Sequence, residues 1–235
     1  MDIESPSVIE LVHRALGSPL KRGELGVMLA SAGVGKTACL THIALEQLLH
    51  GLPVLHVCIN DVPEKIKLWY LEFLNNIAAC RPGVELAGLQ HRIEPLRFIM
   101  AYLHQTFSTD KLEQSLRNLR EQTKFNPSLV VLDGIDFDRT TRSTIESLRD
   151  FAQRNELSIW MSARIHRHIN TTNERGIPYP CNETDDLFDA IFLLETVLEA
   201  VQLKVLKHAD AYQPKYPVIF LHPQTYMLQL IEGTH

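Results

Sequence analysis

Blocks of apolar and polar positions follow one another along this chain and read alternately as strands and helices. Leu25-Gly26-Val27-Met28-Leu29-Ala30 is a continuous apolar run ending in a small-residue loop, the pattern of a strand buried on both faces. From about Lys36 to Leu49, Leu40, Ile43, Ala44 and Leu48 recur at helical spacing, and Gly51-Leu52-Pro53 stops the helix. Val54 to Ile59 is a second buried strand. Pro63 suits the first turn of a helix that runs to about Ala79 and is closed by Arg81-Pro82-Gly83. A short strand is expected near His91-Arg92-Ile93. Ser108 or Thr109 caps a helix to about Lys124, and Asn126-Pro127-Ser128 turns the chain into Leu129-Val130-Val131-Leu132-Asp133. A helical pattern from Thr140 to Asn155 precedes another buried run, Leu157 to Met161.

Continuously apolar strands that alternate with helices predict an α/β fold with a mainly parallel central sheet covered on both faces. The pattern then changes. Ala190–Leu194, Val201–Lys207, Val218–Leu221 and Met227–Ile231 are strands with only turns between them, expected as antiparallel strands on the sheet edge. Residues 163–186 form a long polar stretch, expected as a flexible, functional loop. All of this fits one domain over 1–235, with 1–22 as its lead-in.

Composition narrows the class. The chain has 235 residues, 45% apolar and 22% charged, which excludes a disordered or collagen-like protein. Its net charge is −5, so a sequence-independent coat on nucleic acid is not favoured. Cys39, Cys58, Cys80 and Cys181 show no metal-type spacing and read as reduced thiols of a cytoplasmic protein. Met1-Asp2-Ile3-Glu4 is acidic and does not read as a signal peptide. The most apolar long stretch, Leu187 to Leu206, carries Asp189, Glu195, Glu199 and Lys204, which excludes a membrane span.

Ala30-Ser31-Ala32-Gly33-Val34-Gly35-Lys36-Thr37, followed by Ala38, lies between a predicted strand and a predicted helix. It matches GxxxxGK[ST] except that Ala30 stands for the first glycine. Glycines let backbone N–H groups turn inward around phosphate oxygens, and the helix N-terminus adds partial positive charge. Lys36 suits the β- and γ-phosphates and Thr37 a Mg²⁺ ion. Asp133, ending an apolar strand, suits the same metal directly or through water. Asp136 and Asp138 either assist the metal or cap the next helix.

The order of these motifs resembles the RecA-like ATPases, closest to the KaiC/RadA/DnaB branch. Leu16 to Leu25 is similar to that branch's lead-in, Val54 to Glu64 to its second strand, Leu129–Asp133 to its metal-binding strand and Ser158 to Arg164 to the strand that senses the γ-phosphate. Lys204 to Ala209 and Tyr216 to Phe220 resemble its closing strand pair. The resemblance implies a RecA-like P-loop fold, ATP with Mg²⁺, and a homo-oligomer, in the extreme a hexameric ring with nucleotide between subunits.

Two departures qualify what the resemblance implies. The family ends its second strand in a glutamate that orients the attacking water; here Asn60 and Asp61 stand there, with Glu64 nearby. Slow hydrolysis follows, or a different residue in that role. The family also reaches a neighbour's γ-phosphate with a Lys-x-Arg pair; here the register reads Lys207-His208-Ala209. Lys207 either stabilises charge in trans or is a solvated edge lysine. Lys36, Asp61 and Lys207 are thus the candidate catalytic residues.

Other features carry less. His166 and His168 lack further ligands at useful spacing for zinc. Arg164, Arg167 and Arg175 would suit a DNA- or protein-facing loop, but Glu174, Glu183, Asp185 and Asp186 cancel their charge. The mixed charges of Lys111 to Arg120 read as a solvated helix face, and Trp69, Tyr70 and Phe73 as core or interface anchors. Three rivals to a slow ATPase stand: a nucleotide-dependent switch or assembly protein acting on a protein partner, a DNA-handling recombinase or helicase, and a small-molecule kinase.

Overall fold

The computed structural model describes residues 20–231, apart from 167, 170, 198, 199, 215–217, 223, 224, 226 and 227. Most of the lead-in, Leu16 to Pro19 included, lies outside the described residues, as do Arg167, Glu199, Tyr216, Pro217 and Met227.

The first half of the chain runs β1 (Leu25–Ala30), α1 (Lys36–Leu49), β2 (Val54–Ile59), α2 (Pro63–Cys80), α3 (Leu86–Ile93) and β3 (Arg97–Tyr102). There follow α4 (Thr109–Thr123), β4 (Leu129–Asp133), α5 (Arg142–Arg154) and β5 (Ser158–Arg164). The C-terminal part supplies β6 (Ala190–Val197), β7 (Ala200–His208), β8 (Ala211–Tyr212), β9 (Val218–Leu221) and β10 (Leu228–Ile231). The described residues form one ten-stranded sheet in the order β10-β9-β7-β6-β1-β5-β4-β2-β3, with β8 beside β7.

Side-chain alternation along the strands sorts the core into two layers. Met28, Ala30, Val131, Trp160 and Phe192 pack on Leu40, Ala44 and Leu48 of α1 and on Tyr70 and Phe73 of α2. Leu25, Val27, Leu29, Val130, Leu132, Ile159 and Met161 face the other way, onto Leu112 and Leu116 of α4 and Ile145, Leu148 and Phe151 of α5. The result is an α/β protein with a mostly parallel sheet between two helix layers and antiparallel strands at one edge. Among the described residues no helix is long and apolar enough to cross a membrane.

Three expectations need correction. The strand expected at His91–Ile93 is the end of α3, and the strand lies at Arg97–Tyr102, parallel to β2. β3 is a half-exposed edge strand, so it lacks the continuous apolar run that marks its inner neighbours; Glu94-Pro95 marks where the helix gives way. Ala190–Leu194 is not on the antiparallel edge. Its strand, β6, pairs parallel with β1 inside the sheet and antiparallel with β7. The long 165–189 connection brings the chain back to the opposite end of the sheet, which a tight turn cannot do. Thirdly, 163–186 is not a bare polar loop. Ile177 and Cys181 are buried in the α4–α5 layer, Thr172 bridges Pro178, and Asn173 Nδ2 donates to Asp185 Oδ1 at 2.9 Å. Its sparse apolar residues carry the packing and its polar residues bond one another.

His56 on β2 is wholly buried in the α2 layer. Its Nδ1 lies 3.1 Å from the Tyr70 hydroxyl, and burial pulls its pKa down to about 4; the Asp133 carboxylate opposes that shift and Arg97 adds to it. The folded protein therefore holds His56 neutral while the unfolded chain takes up a proton below about pH 6.5. Stability is retained above that pH and lost as pH falls toward 4, by at most about 1.4 kcal/mol per pH unit from this group. Denaturant titrations from pH 7 to pH 4 should show a shallower acid loss in His56→Gln. An unchanged slope would contradict the assignment.

Candidate functional site

The C-terminal ends of β1, β5 and β4 lie side by side, so whatever follows these strands converges on one rim. After β1 the chain turns through Ser31 to Gly35 and enters α1. Gly33 and Gly35 adopt φ of 78° and 117°, values that a side chain would strain. Gly35 is the N-cap of α1, no side chain accepts from the first turn, and that turn holds no acidic residue. The first helical bond beyond the loop is Cys39 N–H to the Gly35 carbonyl at 3.0 Å. The amides of Lys36, Thr37 and Ala38 are thus left with no partner inside the helix. An uncapped helix start behind a left-handed glycine pair is an anion cradle in waiting.

Lys36 folds over this loop. Its Nζ donates to the carbonyls of Ala30 at 3.0 Å and Ser31 at 3.1 Å. Burial lowers its pKa, the Asp133 carboxylate opposes that shift, and the Arg164 guanidinium adds to it. Asp133 and Arg164 thus both act on the Lys36 ammonium. Thr37 sits beside Lys36 in the first turn, its carbonyl accepting from Thr41 Oγ1 at 2.8 Å. Asp133 pairs with Cys58 in register and is half-buried.

The turn after Asp133 is fixed from both sides. Gly134 has φ of 99°, and a Cβ there would meet the Ile59 carbonyl oxygen at 2.4 Å. Its N–H donates to Oγ of buried Ser162 at 2.8 Å, so the polar residue of β5 holds the turn below Asp133. Neither Asp136 nor Asp138 caps α5: Thr141 does, accepting from the Thr144 amide. Asp136 lies 3.5 Å from Arg139.

Asp61 and Lys207 are both engaged by neighbouring groups of this chain. Asn60, with φ of 62°, donates its amide to the Tyr102 carbonyl at 2.7 Å. Asp61 pairs with Lys65 at 2.5 Å and accepts from the Val62 amide at 2.9 Å, which ties its carboxylate to the start of α2. Glu64 lies exposed, 4.0 Å from Lys67. Lys207 is not a solvated edge lysine. It is buried, donates to the Asp185 carbonyl at 2.9 Å and lies 5.1 Å from the Tyr212 ring centre. Burial lowers its pKa against the pull of Asp185, Asp189 and Asp186. Ala209, where the family pattern has arginine, is exposed with φ of 52°.

Arg175 is engaged too: it pairs with Asp185 at 2.9 Å and with the Tyr212 hydroxyl. Asp185 is thus the hub that pins 171–186 to β7 and β8. One cluster goes beyond the sequence reading. His166 Nε2 lies 2.7 Å from Asp138 Oδ2, and the Tyr179 hydroxyl donates to Asp138 Oδ1 at 2.7 Å. These bonds hold the Asp138 carboxyl below its usual range, the Tyr179 bond foremost. No group of three or more metal-ligating side chains occurs among the described residues. All four cysteines are free thiols.

No family model matches the chain, and no curated protein is similar enough to count as a relative.

The fixed turn makes a testable difference between two glycines of the rim. Gly134→Ala meets backbone and should lower stability by about 2 kcal/mol or more, since the left-handed strain adds to the clash. Gly33 is also left-handed, but a Cβ there meets nothing within 4 Å. Gly33→Ala should cost only about 1 kcal/mol by the same strain. Urea midpoints for the two variants check this, and equal losses would contradict the tight approach of Gly134 to β2.

Proposed function

We propose that this chain is a RecA-like P-loop protein that binds ATP with Mg²⁺ on the loop from Ala30 to Ala38 and slowly hydrolyses the β–γ bond, working as a homo-oligomer. The observation that carries the reading is the loop itself. It is a GxxxxGK[ST]-type sequence, leaves a central strand, turns through left-handed Gly33 and Gly35, and enters a helix with no side-chain cap. These residues fit a polyphosphate because the orphan amides of Lys36 to Ala38 point the helix's positive end at one spot.

Each side chain has a part. Lys36 would exchange its two loop carbonyls for β- and γ-phosphate oxygens. Thr37 and Asp133 would hold the metal, whose charge offsets what builds up between the phosphates in transfer. Ser162 and Gly134 keep Asp133 in place. ATP rather than GTP rests on the family resemblance, as do the oligomer and its ring form.

A second reading has its own support. Asp61 is bound to Lys65, Asn60 offers an amide rather than a carboxylate, and Lys207 is buried against Asp185. A chain so arranged fits a nucleotide-dependent switch with little turnover, acting on a protein partner. A DNA-handling role finds less support, since Arg175 is paired with Asp185 and the net charge is −5.

Calorimetric titration of ATP·Mg²⁺ tests the nucleotide reading. The wild-type chain should bind, and Lys36→Ala should weaken binding about tenfold or more, as loss of a charge-assisted contact does. No heat in the wild type, or equal binding in Lys36→Ala, would overturn it. Turnover separates the two readings: Asn60→Glu should raise a slow ATPase rate if only the glutamate is missing from that position.

A further inference from the structure

β5 lies between β1 and β4, so its C-terminal end sits between the phosphate loop and Asp133. Ala30 pairs with Arg164 across β1 and β5, and the Ile165 amide donates to the Ala30 carbonyl at 3.0 Å. The next residue is His166. The turn after β4 carries Asp138 to meet it, Nε2 to Oδ2 at 2.7 Å, and Tyr179 reaches over to the other carboxylate oxygen at 2.7 Å. A carboxylate only accepts, so Nε2 carries the hydrogen toward it, and in the neutral ring Nδ1 keeps its lone pair. The imidazole is 21% exposed, held yet within reach of water. A base fixed by a carboxylate that is itself fixed by a third group is the arrangement that activates a nucleophile elsewhere in protein chemistry. Asp61, next to the position where the family pattern has its glutamate, is held by Lys65 and the Val62 amide.

We propose that His166, oriented by Asp138 and Tyr179, is the base that accepts the proton of the water attacking the γ-phosphorus. The role rests on ATP binding at the neighbouring loop. In the step, the water oxygen bonds to the γ-phosphorus, and the bond from that phosphorus to the β–γ bridging oxygen breaks. The bridging oxygen keeps the electron pair and leaves as the terminal oxygen of ADP. The water proton passes to Nδ1 of His166 and returns to solvent after phosphate departs. Asp138 stabilises the imidazolium and Tyr179 keeps that carboxylate in place; both are positioning residues. Arg164 stands exposed at the strand end with no ion-pair partner among the described residues, within the field of Lys36 and Asp138.

The test uses the full chain. In His166→Gln, kcat should fall about 100-fold or more, the usual contribution of a general base, while ATP affinity by calorimetry stays within about threefold. Wild-type log kcat should rise with pH until the imidazole is neutral, and the variant's profile should be flat across that range. The groups facing the ring in that titration are Asp138, Tyr179, His168 at 5.6 Å between ring centres, and Arg164 at the strand end. Asp138→Asn, isosteric and on a half-exposed side chain, should also lower kcat, and it keeps the test open if His166→Gln fails to fold. In the nucleotide-free protein its imidazole NMR titration should move to lower pH, a readout independent of turnover. Two results would overturn the role: His166→Gln turning over within about twofold of wild type, or a wild type that binds ATP and never hydrolyses it. A wild type that fails to bind ATP gives a different result, no heat at all, and removes the nucleotide reading together with this role.

Discussion

The amides of Lys36, Thr37 and Ala38 begin a helix that no side chain caps among the described residues, and the rest of the rim is arranged around that fact. A buried or half-buried N–H without a partner is unfavourable, so a fold that leaves several together sets them against an outside acceptor. Gly33 and Gly35 make the turn that aims them. Lys36 covers the same spot while its ammonium rests on the carbonyls of Ala30 and Ser31. The field there is positive, from the helix end, Lys36 and Arg164, and Asp133 stands as the nearby negative counterpart.

Sheet order delivers the rest. Because β5 separates β1 from β4, three strand ends with different chemistry face one edge: the glycine loop of Ser31 to Gly35, a basic and histidine-bearing end, and a carboxylate. The two-sided core keeps these ends in register. Trp160 of β5 lies over Gly26 of β1, where a Cβ would come within 2.6 Å of the indole, and its ring packs 4.8 Å from Phe192 of β6. Asp185 does the same for the C-terminal strands by gathering Asn173, Arg175 and Tyr212 on its carboxylate and Lys207 on its carbonyl.

Much of this was legible in the residues. Continuous apolar runs mark β1, β2, β4 and β5 because both faces of an inner parallel strand are buried, and Gly33 and Gly35 announce the turn after β1. β3 escaped because an edge strand needs no such run. The parallel pairing of β6 with β1 is not legible, because an apolar run carries no sign of strand direction. The order within 163–186 was hidden because its packing rests on two residues, Ile177 and Cys181, set among polar ones. At the site, Lys36, Thr37 and Asp133 follow from local spacing. The partners of Asp61 and Lys207 do not, since Lys65 and Asp185 are ordinary charges until the fold brings them close. Likewise, the Asp138–His166–Tyr179 cluster joins two loops, the one after β4 and the 165–189 connection, and no spacing within one segment encodes it.

Hydrogen exchange at the amides of residues 32–38, with and without ATP·Mg²⁺, reads the uncapped helix start itself. Saturating ATP·Mg²⁺ should slow these amides by about tenfold or more, as backbone donors gain phosphate acceptors. The slowing should be lost in Lys36→Ala at the same nucleotide concentration. Exchange at 32–38 that ATP·Mg²⁺ leaves unchanged in the wild-type chain would overturn nucleotide binding at this loop.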